Sequence, residues 1–71
     1  MKMNFIELKN FIEDMTAEVS NLKAAIEYTE RFLMDESPLV PQHIAEMKAD
    51  LAEMTEELEG ATEYAERLAA Y

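Results

Sequence analysis

Seventy-one residues make one domain at most, and so short a chain struggles to enclose a core that offsets its conformational entropy. With no cysteine and a single histidine, His43, it lacks disulfides, thiolate metal sites and histidine-rich metal centres as staples, leaving oligomerisation as the remedy. Sixteen acidic residues against six basic ones give a formal charge of −10; that field opposes direct binding to nucleic acid or an anionic membrane and favours basic protein surfaces or cations.

A hydrophobic content of 49% is too high for a disordered acidic tail. One glycine and two prolines leave almost no turn chemistry for β-architecture, so the expected class is all-α. At the N-terminus, the run from Met1 to Ile6 reaches Glu7 too soon for the apolar stretch of a signal peptide. No apolar run approaches membrane-spanning length. The expectation is a soluble cytoplasmic protein, in the host cytoplasm if the chain is viral.

The first helix is expected over about residues 4–34. Asn4 and Glu7 have capping-box spacing, and Met3 is placed to staple onto Leu8. Phe5, Leu8, Ile12, Met15, Val19, Leu22, Ile26, Thr29 and Leu33 then recur at alternating steps of three and four, Thr29 alone being polar. A break follows over about residues 35–40, where Pro38 disfavours helical geometry at Ser37 and the pair suits an N-cap and first helical position. The second helix is expected over about residues 41–70. Ile44, Met47, Leu51, Met54, Leu58, Ala61, Ala65 and Leu68 keep the same alternation. Four heptads on each side of a short connection specify an antiparallel, coiled-coil-like hairpin, each helix about 45 Å long.

Two echoes link the helices. Asp14-Met15-Thr16-Ala17-Glu18-Val19 resembles Glu53-Met54-Thr55-Glu56-Glu57-Leu58, and the Glu-Tyr-x-Glu-Arg run at 27–31 returns at 63–67. Either a duplicated helix or chance repetition among low-complexity heptads accounts for them. Beyond the seam lie Ile6, Phe11, Tyr28 and Phe32 on the first helix and Tyr64 and Tyr71 on the second. Phe11, Ala25 and Phe32 stand one position before a seam residue and widen the apolar face. Ile6, Phe11 and Phe32 are therefore the expected oligomer interface, in a four-helix bundle or larger assembly with a dimer as the simplest case; the alternative is that the aromatics fold over the hairpin's own edge. This plan resembles that of Rop-type proteins, in architecture and not in motif.

Catalysis finds no support. There is no cysteine nucleophile, no glycine-rich phosphate loop, and no histidine in a motif with Ser20 or Ser37. His43 and Glu46 are three apart, but reversed relative to the Glu-x-x-His of carboxylate-bridged bundles and off the seam, so no metal and no cofactor is expected. Glu27 with Arg31, and Glu63 with Arg67, have the spacing of surface ion pairs. Gly60 is a weak point in the second helix, or a place where another helix comes close.

The acidic surplus exceeds the magnitude of about 2–8 that solubility asks of a small domain. A non-enzymatic interaction protein follows as the leading expectation: Glu46, Glu53, Glu56 and Glu57 engage a basic macromolecular partner and block or scaffold it, as a phage-type inhibitor of a host nucleic-acid enzyme or defence system would. Two alternatives stand beside it. One is an oligomeric bundle sequestering a small anionic, nucleotide-like signal through Tyr28, Arg31, Tyr64 and Arg67. The other is a purely structural coiled-coil module.

Overall fold

The computed structural model describes residues 4–70. Two helices, α1 (Phe5–Phe32) and α2 (Val40–Ala69), pack against each other as an antiparallel hairpin with extents of 52 × 19 × 15 Å. Met3, expected to staple the first turn, and Tyr71 lie outside the described residues.

Local chemistry sets each helix end. Asn4 is extended and its Oδ1 accepts the Glu7 amide at 2.8 Å, which supplies the main arm of the anticipated cap. At the other end α1 stops at Phe32, two residues short of expectation. Leu33 takes a cap conformation with its amide donating to the Thr29 carbonyl, and the Glu36 amide returns to the Leu33 carbonyl. In the connection the Ser37 hydroxyl accepts the Leu39 amide at 3.2 Å. The cap of α2 nevertheless falls on Leu39, whose carbonyl accepts the first helical bond from His43. Pro41 then occupies the opening turn of α2, where the missing N–H costs nothing.

The seam is where the periodicity places it. Leu8, Val19, Ile26 and Thr29 of α1 and Ile44 of α2 are buried, and the intervening seam residues are half-buried. Even so, the core residues stay 5–7% exposed, and no side chain among the described residues is fully sealed. Two helices enclose a stripe, not a volume. Thr29, the one polar seam residue, donates its hydroxyl to the Ala25 carbonyl at 2.7 Å, so it brings no unsatisfied group into the seam.

One ion pair reports the register: the Lys48 ammonium reaches the Glu30 carboxylate at 3.4 Å. Both residues hold the heptad position just after a seam residue. Carried along the heptads, this register sets Lys23 across from Thr55 and Thr16 across from Thr62 on the same broad face. On the opposite broad face it sets Phe11 across from Tyr64, Glu18 from Glu57, Ala25 from Asp50 and Phe32 from His43. All three described lysines, Lys9, Lys23 and Lys48, fall on the first face; the flanking aromatics fall on the second.

Two substitutions test this packing. Because the Thr29 hydroxyl is satisfied within its own helix, Thr29→Val should raise stability by about 0.5–1 kcal/mol through added apolar burial, read from urea unfolding. A methyl group at Gly60 meets nothing within 4 Å, so Gly60→Ala should add about 1 kcal/mol by helix propensity. A fall in stability there would mean that another helix approaches Gly60 in solution.

Candidate partner-binding surface

The flank of α2 that borders the aromatic broad face carries a row of carboxylates. Glu46, Asp50, Glu53 and Glu57 follow one another at steps of four, three and four, which aligns them as one stripe along the helix, with Glu56 beside it. All five are exposed. No basic residue interrupts the stripe; Lys48 turns to the other face, where it meets Glu30. The four glutamates picked from sequence therefore belong to one continuous surface. Asp50, part of that stripe, was missed because the search followed glutamates and not the three-four spacing. Steps of four, three and four are readable without coordinates.

The Tyr–Arg clusters are arranged differently. Tyr28 and Arg31 share an open depression with Ala24, Glu27 and Phe32, while Tyr64 and Arg67 line another with Leu68 and Ala70. One lies towards the loop and the other towards the chain ends, about 25 Å apart along the axis at the rise of an α-helix. A single hairpin cannot close both clusters around one ligand. Within the first, the Tyr28 and Phe32 rings pack tilted at 48° with centroids 5.1 Å apart. Both rings stay more than half exposed, Tyr28 at 58% and Phe32 at 59%.

The expected i,i+4 ion pairs are not formed. Among the described residues the Glu30–Lys48 bridge is the one pair within 4 Å, and neither Glu27–Arg31 nor Glu63–Arg67 joins it. Solvated carboxylate and guanidinium groups forgo only about 0.3–0.5 kcal/mol by staying apart. Each arginine instead stands in the last turn of its helix, Arg31 in α1 and Arg67 in α2, where a cation complements the unpaired carbonyls and the negative end of the helix dipole. That placement explains why the Glu-Tyr-x-Glu-Arg run occurs twice: it ends a helix each time. The two copies also differ in phase. Ile26, just before the first, lies on the seam, whereas Thr62, just before the second, lies beside it.

The interface residues chosen from sequence divide. Ile6 and Phe32 are exposed, while Phe11 is half-buried over the hairpin's own edge. Phe5, Tyr64 and Leu68 near the chain ends, and Met34 and Leu39 near the loop, are further exposed apolar groups. His43 is exposed, and among the described residues no three His, Asp or Glu side chains gather as metal ligands do. No helix among them is long and apolar enough to cross a membrane.

No known family model, curated protein or solved structure matches this chain.

If the arginines act as helix-end cations, Arg31→Ala and Arg67→Ala should each lower stability by about 0.3–1 kcal/mol. The loss should shrink as salt is added, which thermal unfolding at low and high ionic strength would show.

Proposed function

We propose that this protein is a non-enzymatic interaction protein that uses the acidic flank of α2 to bind a basic macromolecular partner. The carrying observation is the unbroken stripe of Glu46, Asp50, Glu53 and Glu57 with Glu56 alongside, all exposed and without basic residues among them. A rod 52 Å long bearing such a stripe offers a basic groove a row of anions at helical spacing. A groove built for nucleic acid presents the matching cations, and long-range attraction speeds the encounter. Occupying that groove blocks it; bridging two such surfaces would scaffold them. The inhibitory role is the one a small phage-encoded protein performs on a host nucleic-acid enzyme or defence system, and it places the chain in the host cytoplasm.

Self-association belongs to the same reading. Five buried seam residues and no fully sealed side chain leave a thin core for 71 residues without a disulfide, and a second copy supplies what is missing. A homodimer is the simplest assembly.

The test is retention of a partner on the immobilised full chain. Bound protein should elute with rising salt and with competing duplex DNA. A variant combining Glu46→Gln, Glu53→Gln and Glu56→Gln should lose at least about tenfold in affinity, since three charges each contribute a fraction of a kcal/mol or more. Retention that ignores salt, DNA and the triple change would sink the proposal.

A further inference from the structure

We infer that the broad face carrying Phe32, Tyr28 and Tyr64 receives an amphipathic helix of the basic partner, with lysine or arginine at the middle of its contact ridge and apolar side chains at both ends. This rests on the acidic-flank reading just proposed and adds the rest of the surface and the pattern the partner carries.

Exposed rings favour a cover. Phe32 and Tyr28 are 59% and 58% exposed and Tyr64 is 45% exposed, and buried aromatic anchors dominate the energetics of protein interfaces. The register determines what else such a cover meets. Between the ring-bearing layers, Phe11 with Tyr64 and Phe32 with His43, lie Glu18 with Glu57 and Ala25 with Asp50, all four exposed. No lysine or arginine shares these heptad positions, and Arg67 borders the face only at the chain ends, beside Tyr64.

Charge selects the occupant. A surface that closes over the rings also closes over three carboxylates, and burying unpaired charge costs more than covering a ring contributes. That excludes a purely apolar partner, an anionic membrane and nucleic acid. It excludes a second copy as well, because either orientation sets these carboxylates against their own kind; the self-association proposed above falls to another part of the rod. A basic partner satisfies both requirements. Its cations pair with Glu18, Asp50 and Glu57, and with Glu46 and Glu53 along the bordering flank, while its apolar groups cover the rings.

Spacing sets the pattern. Layers seven residues apart stand about 10 Å from one another along the rod, which puts the ring-bearing layers about 31 Å apart with the carboxylates between. A groove between two helices is filled by a third laid along it. Such a helix repeats its contact ridge at the same interval, so the matching order is apolar, basic, basic, apolar at successive heptads, about 22 residues from first to last.

Three synthetic helical peptides of equal length and charge serve as probes of the full chain, read by calorimetry. One has that order with leucine and arginine, the second has arginines at the ends and leucines in the middle, and the third replaces the leucines by alanine. We expect the first to bind at least about tenfold tighter than either of the others at about 0.15 M salt. Phe32→Ala, Tyr64→Ala and Glu57→Gln should each weaken it about tenfold. The comparison of peptides needs no substitution and decides the outcome even if a variant unfolds. Equal binding of all three, or binding of the first that ignores both ring substitutions, overturns this inference and leaves the acidic flank as the partner site. No binding of the first peptide also overturns this inference alone, since the reading it rests on falls only with the salt, DNA and glutamine results described above. A dimer of the free chain in sedimentation equilibrium that Phe32→Ala dissociates would give the face to a second copy and overturn it too.

Discussion

A pair of helices can hide only the strip along which they touch. That limit governs this molecule. Leu8, Val19, Ile26 and Ile44 reach 5–7% exposure, while Met15, Leu22, Met47, Leu51 and Leu58 are left half-covered because no third element stands over them. Each large side chain brought fully out of water contributes roughly 1.5–3 kcal/mol, so completing the cover of a few of them decides whether so small a fold stands. The aromatics beside the seam enlarge the strip on one broad face and leave the other to lysines and threonines. The two faces are thereby chemically unlike.

The charge follows the same division. Six basic groups cannot neutralise sixteen acidic ones, and the structure does not scatter the few it has. The described lysines line one face, where Lys48 ties the helices together through Glu30. Both arginines sit at helix ends, where backbone carbonyls are unpaired. Lys48, Arg31 and Arg67 thus have local structural uses, and the stripe from Glu46 to Glu57 is left without a basic residue.

Much of the fold is legible in the sequence because its determinants are periodic and local. The three-four alternation of apolar residues predicts both helices and the seam, the Asn4 cap is a matter of four adjacent residues, and Pro38 and Pro41 bound the connection. The helix ends were less legible. Leu33 and Met34 continue the apolar pattern past Phe32, and nothing in the alternation registers that the backbone has already turned at Leu33. The candidate surface divides along the same line. Its glutamates, the stripe they form with Asp50 and the shared heptad position of the lysines are legible from three-four spacing, but the facing of Glu18 with Glu57 depends on how one helix slides past the other. The Lys48–Glu30 bridge reports that register, and it is one of many i-to-j pairings the sequence permits.

The Glu-Tyr-x-Glu-Arg echo shows why repetition in a helical chain needs geometry before it needs a function. Read as sequence, two copies with a tyrosine and an arginine each invite a shared anion site. In the hairpin they lie at opposite ends of the rod, their arginines serve helix ends, and the residues just before them, Ile26 and Thr62, stand at different angles to the seam. A duplicated helix retaining one packing role would keep one phase, as the Met15-Thr16 and Met54-Thr55 echo does: both methionines lie on the seam and both threonines just beside it. The tyrosine–arginine copies break phase, so the property they share is the helix terminus.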